Sequence, residues 1–257
     1  MKECDTMSEK HWVTFETEVN GFNLNAKFTD DTINEVFVPF LKKLNEVYGQ
    51  VGGRKVIAFL VGPPGVGKTT ISHYLEKLSK DRQDLTTIRA IGMDGFHFSN
   101  AYMDSHTVEV DGNTIPMKSI KGAPQTFDLD SLQAKIREVK QEETDWPIYD
   151  RNIHDVVPDA ISVEAEIILI EGNYMLLKDP RWTNIRTLAD YTVFIKTNPE
   201  ILKTRLIERK VRGGMSQEEA EQFYNTSDGK NVELVLNNSA EADETWTLEF
   251  DGDITID

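Results

Sequence analysis

Residues 62 to 69 read Gly-Pro-Pro-Gly-Val-Gly-Lys-Thr, which is the spacing of a phosphate-binding loop. Glycines let the backbone approach phosphates closely, Lys68 can reach the outer phosphates, and the Thr69 hydroxyl can bind Mg²⁺. Because the two prolines have no amide hydrogen, the donors must come mainly from Gly65 onward. We therefore predict a nucleoside triphosphate site. Its predicted contacts are Gly62, Gly65, Val66, Gly67, Lys68, Thr69 and Thr70.

Acidic residues follow two further predicted strands. Residues 87–93 lead into Asp94, and residues 163–170 lead into Glu171. Ligands of open α/β sheets lie outside the carboxyl ends of the strands, so both acids should lie near the loop. We predict Asp94 as general base toward an attacking hydroxyl, and Thr69 and Glu171, with Asp94, as Mg²⁺ ligands. His97 is open to two roles, contact with a substrate or a purely structural one.

A cluster of cations stands out in this acidic chain. Arg205, Arg209 and Arg212 share one face of a predicted helix, and two glycines follow them at 213 and 214. Such a helix suits a mobile lid at about residues 203–225, which covers phosphates and stabilises the transferred group. We therefore predict catalytic roles for these three arginines together with Lys68. The alternative is a solvated charged face.

The elements that must position these residues alternate along the chain. The apolar stretch at 55–61 precedes the loop, a helix begins at Thr69 and Thr70, and a fourth strand covers residues 191–195. Strands separated by helices predict an α/β fold with a doubly wound, mainly parallel sheet. Helices are also predicted at residues 29–48 and 128–141, with an irregular excursion at residues 104–126 between them.

Both ends of the chain show hairpin patterns. Asn20 and Gly21 separate two alternating runs between residues 11 and 28, and a similar pattern covers residues 245–256. We expect these hairpins to form a small accessory sheet, whose exposed edges allow pairing into a homodimer. The cation-free segment 241–257 is expected only to keep the chain soluble.

Composition restricts the partners. The chain has 257 residues and a net charge of -16, from 28 lysines and arginines against 44 acids, which argues against nucleic acid as a partner. Its apolar runs are too short to cross a bilayer, and the first residues lack the apolar core of a signal peptide. A cytoplasmic protein without a membrane partner is expected. The single cysteine, Cys4, cannot form an internal disulfide.

The combined motifs resemble the phosphoribulokinase, uridine kinase and pantothenate kinase group of P-loop kinases, and most of all bacterial fructose-transport-system kinases or uridine kinase-like proteins. The matching segments are 62–70, 93–97, 121–124, 126–128, 146–151, 154–155, 158–160, 171–174 and 227–232. The resemblance implies a P-loop NTPase fold in which residues 55–257 form the kinase domain. Residues 1–54 would then be a hairpin and helix packed on that core.

The resemblance also implies ATP-dependent phosphorylation of a small-molecule hydroxyl, with ATP and Mg²⁺ as cofactors. Asp94 matches the general base of the group and Glu171 its second acid, while the three arginines fall in the lid region. Residues implied near the acceptor are Lys121, Tyr149, Asp150 and His154, with His97 as the further candidate. A fructose-like sugar, a nucleoside, pantothenate and glycerate all stay open as acceptors. A non-kinase ATP-dependent switch is the alternative from another class.

Overall fold

The computed structural model describes residues 10–19, 22–110 and 112–257. Its strands are β1 (Trp12–Val19), β2 (Phe22–Thr29), β3 (Val56–Val61), β4 (Ile88–Gly92), β5 (Thr107–Val110), β6 (Asn113–Pro116), β7 (Thr144–Asp150), β8 (Asp155–Val163), β9 (Ile167–Gly172), β10 (Tyr191–Thr197), β11 (Glu244–Leu248) and β12 (Ile254–Ile256). Its α-helices are α1 (Val38–Gln50), α2 (Lys68–Asp81), α3 (Asn100–Ser105), α4 (Leu129–Val139), α5 (Pro180–Arg186), α6 (Pro199–Arg212), α7 (Gln217–Phe223) and α8 (Gly229–Asn238).

Six strands form the central sheet, in the order β12-β11-β10-β3-β9-β4. All neighbours run parallel except β11 and β12. Strand β3 is completely buried because apolar cores cover both faces of the sheet, one including α1 and α2 and the other α4 and α5. The predicted α/β fold with a mainly parallel sheet flanked by helices is confirmed.

Some predicted boundaries differ from the structure. Val163 ends β8 rather than starting the strand before Glu171, and β9 begins at Ile167. The excursion at 104–126 contains the antiparallel pair β5 and β6, and a second antiparallel pair, β7 and β8, follows α4. Prolines inside or at the end of three of these four strands made them resemble loops, but antiparallel two-stranded ribbons tolerate proline at positions that need no amide donor.

The N-terminal hairpin is confirmed, since β1 and β2 pair in register from Trp12–Thr29 to Val19–Phe22. Its turn residues, 20 and 21, and Cys4 lie outside the described residues. The predicted helix at 29–48 contains a π-helical turn at Thr32–Phe37 followed by α1. The rings of Phe37 and Phe40 pack 5.7 and 5.2 Å from the Trp246 ring, which joins this helix to the other end of the chain.

The C-terminal hairpin departs from the expected accessory ribbon. Strand β11 runs parallel to β10 and extends the main sheet, and the hairpin buries Trp246, Leu248 and Ile254. Asp253 accepts a hydrogen bond from the Thr29 hydroxyl at 2.6 Å and pairs with Lys10. The expectation that this segment only confers solubility is therefore wrong, because its alternating pattern directs the apolar side chains into the core.

In the described part of the chain, every helix is too short or too polar to span a membrane.

Candidate active site

The phosphate-binding loop follows β3 and ends where α2 begins. Gly65 and Gly67 have φ angles of +85° and +105°, a conformation that favours glycine. A Cβ atom on Gly65 would lie 2.9 Å from Cγ of Leu206 in α6, and one on Gly62 would lie 2.6 Å from the Ile195 carbonyl oxygen. These glycines therefore let the loop pass close to β10 and to the predicted lid helix.

Lys68 is the first residue of α2 and is only 6% exposed. Its Nζ donates to the Pro63 carbonyl oxygen at 3.0 Å and to Asn173 Oδ1 at 2.7 Å. Burial lowers the pKa of Lys68 to about 8, while the Glu171 and Asp94 carboxylates act in the opposite direction. The ammonium group is thus held in place by two neutral oxygens, in a setting that disfavours an uncompensated charge.

Glu171 lies near the carboxyl end of β9, where it pairs in register with Leu60 of β3 and Gly92 of β4. Its Oε1 accepts a hydrogen bond from the Thr69 hydroxyl at 2.7 Å. Burial raises the pKa of Glu171, opposed mainly by the Lys68 ammonium. The strand order therefore brings one acid into direct contact with the phosphate-binding loop.

Asp94 lies in a short 3₁₀ helix, Met93–Phe96, directly after β4. Its Oδ2 is 3.9 Å from Nη2 of Arg151, which follows β7. The next residue must be glycine, because a Cβ atom on Gly95 would lie 2.2 Å from the Pro147 carbonyl oxygen. The hairpin of β7 and β8 thus packs against the turn that carries Asp94.

The side chain of His97 packs between the turn that carries Asp94 and two aromatic rings, and its role toward a substrate stays a prediction. Its Nδ1 lies 2.8 Å from the Asp94 carbonyl oxygen, and its ring centroid lies 3.9 Å from that of Phe127. It also lies 5.5 Å from the ring of Tyr149, a predicted acceptor residue. Burial lowers the pKa of His97, against the effect of the Asp94 carboxylate.

Two of the residues predicted near the acceptor, His97 and Lys121, contact the ring of Tyr149. Lys121 Nζ lies 4.8 Å from the Tyr149 ring centroid and donates to Asn100 Oδ1 and to the His154 carbonyl oxygen, both at 2.8 Å. His154 takes part through its backbone, which has a φ of +53°, while its side chain is exposed. Asp150 Oδ1 accepts from the Asn152 amide at 2.7 Å within the hairpin turn.

The predicted lid helix, α6, approaches the loop through part of its basic face. Arg205 Nη1 donates to the Val66 carbonyl oxygen at 3.2 Å. Burial lowers the pKa of Arg209, opposed first by the Asp228 carboxylate, while Arg212 is exposed in the last turn. Gly214, with a φ of +100°, separates α6 from α7 at the predicted hinge.

Sequence reasoning assigned no role to three residues of the site. Asn173 accepts from Lys68, Arg151 pairs with Asp94, and the buried carboxylate of Asp228 opposes the pKa shifts of Arg209 and Lys210. All three lie inside the segments that carried the family resemblance, but their partners are between 18 and 105 positions away. The signal that could have identified these three residues was their position in the same matching segments as residues with predicted roles.

No group of three or more histidine, cysteine or acidic side chains in the described ranges forms a metal site. The donors that do converge are the Thr69 hydroxyl and the Glu171 carboxylate, 2.7 Å apart. Mg²⁺ prefers oxygen donors and is usually held by one or two carboxylates plus substrate phosphates. This donor set therefore fits Mg²⁺ bound together with a nucleotide.

Residues 56–243 match the model of the Phosphoribulokinase / Uridine kinase family. The chain belongs to this family. It is 38% identical to the Escherichia coli (strain K12) protein described as "Uncharacterized protein YggC", over 88% of this chain and 92% of that protein. It is 29% identical to "Putative uridine kinase C227.14" of Schizosaccharomyces pombe, over 81% of this chain and 92% of that protein. The predicted family is confirmed.

A solved structure extends the similarity to three dimensions. The crystal structure of a "putative fructose transport system kinase" from Silicibacter sp. TM1040 is similar with a TM-score of 0.72 and 25% identity, covering 82% of this chain and 98% of that chain. The P-loop kinase fold expected from the sequence is confirmed, and the chain is a kinase by family.

Proposed function

We propose that the protein transfers the γ-phosphoryl group of ATP to a hydroxyl of a small metabolite. The observation that carries this proposal is the convergence of three neighbouring strands. Strand β3 leads into the phosphate-binding loop, β9 carries Glu171 in contact with Thr69, and β4 leads into Asp94. A phosphate cradle, an oxygen donor pair and a separate carboxylate are the parts that phosphoryl transfer requires.

Each residue has a role in this mechanism. The loop amides and Lys68 bind the phosphates, and Arg205 and Arg209 shield the transferred group from water and balance its charge. Thr69 and Glu171 would hold Mg²⁺, which supplies positive charge against the phosphates. Asp94 accepts the proton of the acceptor hydroxyl as its oxygen bonds to the γ-phosphorus and ADP leaves.

We call the residues around the Tyr149 ring, namely His97, Lys121 and Arg151 together with Tyr149 itself, the acceptor wall. His97 and Lys121 both lie against the Tyr149 ring, and His97 contacts the backbone of Asp94. Sugars and nucleosides are bound by such combinations of aromatic and hydrogen-bonding groups. The relatives described as uridine and fructose-transport kinases support a hydroxylated metabolite, and pantothenate and glycerate belong to the same chemical class.

The exchange of Asp94 for asparagine tests this assignment. Asp94→Asn keeps the size of the side chain but removes the base, so phosphoryl transfer should fall by roughly 10²- to 10⁴-fold while ATP binding changes little. Asp104→Asn, an exposed acid paired with Lys118, is the matched control. Transfer to an acceptor measured with labelled ATP reports the first effect, and calorimetric titration of ATP the second.

Two outcomes would contradict the proposal. Normal transfer in Asp94→Asn would remove Asp94 as the base. Hydrolysis of ATP that no metabolite stimulates, with equal rates in both variants, would favour the nucleotide-dependent switch instead.

A further inference from the structure

Two cationic side chains lie against the ring of Tyr149. Lys121 Nζ is 4.8 Å and Arg151 Cζ is 5.6 Å from the ring centroid. Arg151 also reaches toward Asp94, with 3.9 Å between Nη2 and Oδ2. Two cationic side chains therefore share the Tyr149 ring, and one of them, Arg151, also lies beside the proposed base.

The charge of Lys121 acts on a nearby acid without pairing with it. Burial raises the pKa of Asp155, but two backbone hydrogen bonds and the Lys121 charge lower it overall. Lys121 Nζ has three donor hydrogens, and its two hydrogen bonds go to neutral oxygens, Asn100 Oδ1 and the His154 carbonyl. Within the described ranges, Lys121 forms no ion pair with a carboxylate. Two of its three donors are thus used, and the third has no partner in the part of the chain that the structure describes.

Arg151 also has a hydrogen-bond donor without a partner among the described residues. Its only ion-pair contact within the described part of the chain, 3.9 Å to Asp94, is longer than a hydrogen bond. Its buried Nε has no hydrogen-bond partner among the described residues. A guanidinium group offers five donors in a planar fork that fits carboxylates and phosphates.

In the described part of the chain, two of the other acids near this wall accept hydrogen bonds from backbone amides, and a third does not. Asp155 Oδ1 accepts from the amides of Asn100 and Val156, and Asp150 Oδ1 accepts from the Asn152 amide. Asp228 Oδ2 is buried without a hydrogen-bond partner among the described residues, with Lys210, Arg209 and Arg151 as its cationic neighbours. Because Lys121 and Arg151 donate to no carboxylate within the described ranges, both have donors available to an anionic ligand.

We propose that the acceptor carries a carboxylate or phosphate group, bound by Lys121 and Arg151 against Tyr149, while its hydroxyl reaches Asp94. This inference rests on the proposed kinase function and narrows its acceptor to a hydroxylated anion. In the reaction the hydroxyl oxygen bonds to the γ-phosphorus, the bond from that phosphorus to the β-γ bridging oxygen breaks, and the proton moves to Asp94. The anionic group is unchanged and serves only for binding.

Fractionation of a metabolite mixture by charge tests this proposal. A protein-free small-molecule extract of Escherichia coli is separated on an anion-exchange resin at neutral pH, and each fraction is incubated with the full-length protein and γ-labelled ATP with Mg²⁺. Label should be transferred to a compound of the retained fraction only. Transfer in the unretained fraction alone would overturn the anionic acceptor but leave the kinase function intact, and transfer in neither would reject the kinase function itself.

Treatment of the retained fraction with phosphatase, followed by removal of that enzyme, distinguishes the two sources of charge. Loss of acceptor activity identifies a phosphate ester, and persistence identifies a carboxylate. Both results support the anionic acceptor.

Variants of Lys121 test whether this side chain binds the anionic group of the acceptor. Lys121→Gln keeps amide donors but removes the charge, so kcat/KM for the retained acceptor should fall about 10- to 100-fold with an unchanged KM for ATP. Lys121→Arg should restore much of this loss. The control Lys118→Gln, three residues away and paired with Asp104 at 2.9 Å, should stay within about twofold of the wild type. An equal loss in both glutamine variants, or a rise in KM for ATP, would overturn the assignment.

Discussion

Replacement of Lys68 by methionine should abolish catalysis and at the same time stabilise the ligand-free protein. Burial lowers the pKa of Lys68 from 10.5 to about 8. Each unit of pKa corresponds to about 1.4 kcal/mol, so holding the folded lysine charged costs about 3 kcal/mol at neutral pH. Methionine has a similar length and no charge, so Lys68→Met removes this cost.

Part of the gain is lost because two oxygens lose a donor. Nζ of Lys68 donates to the Pro63 carbonyl oxygen and to Asn173 Oδ1, and we subtract about 1 kcal/mol for these bonds. The net expectation is an increase of about 2 kcal/mol in the free energy of unfolding. For a chain of this size that raises Tm by roughly 4 to 8 °C.

The pH dependence of this gain has a definite sign. Well below pH 8 the lysine is charged in both the folded and unfolded states, so the full cost of about 3 kcal/mol applies. As pH rises through the folded pKa of about 8 toward the unfolded value of 10.5, the folded lysine loses its proton first and the cost declines. At pH 9.5 about 1 kcal/mol should remain. The advantage of Lys68→Met over the wild type should therefore shrink between pH 7 and 9.5.

Urea unfolding of the ligand-free protein at both pH values measures these changes. Lys77→Met, on the same helix but exposed and paired with Asp81, is the control and should stay within about 0.5 kcal/mol of the wild type. Phosphoryl transfer by Lys68→Met should fall by at least about 10³-fold. A Lys68→Met protein that is less stable than the control at pH 7, or whose advantage grows with pH, would refute the reasoning.

Two further predictions concern the loop and the sheet. Thr69→Val removes the hydroxyl that contacts Glu171, so phosphoryl transfer should fall about 10²-fold and more Mg²⁺ should be needed for half-maximal rate. Thr69→Ser should retain most activity. Equal rates for the wild type and both variants across a Mg²⁺ titration would contradict this prediction. Trp246→Ala should lower the free energy of unfolding by about 3 to 5 kcal/mol, because the ring is fully buried between α1 and the sheet. The control Trp12→Ala, at a residue that is 37% exposed, should lower it by about 1 kcal/mol or less. Equal small losses in urea unfolding would show that β11 is not part of the core.

The donor half of the site was predictable from the sequence because its residues are contiguous or lie at strand ends. The loop at 62–69 carries its own spacing rule, and Asp94 and Glu171 directly follow apolar runs that parallel strands require. The acceptor half was less predictable. Lys121 and Tyr149 were found through the family resemblance, but the contributions of Arg151 and of the His154 carbonyl depend on how the β7 and β8 hairpin packs.

The sequence by itself determined the family, the parallel sheet and the nucleotide half of the site, since local spacing and apolar runs specify these without distant contacts. Only the tertiary structure decided that β11 extends the main sheet, because alternation predicts a strand but does not identify its partner. Lys121 and Arg151 are 30 positions apart along the chain, and only the tertiary structure brings both to the ring of Tyr149. The proposed acceptor wall depends on cations that meet only in space, because a linear pattern does not show which side chains share one ring.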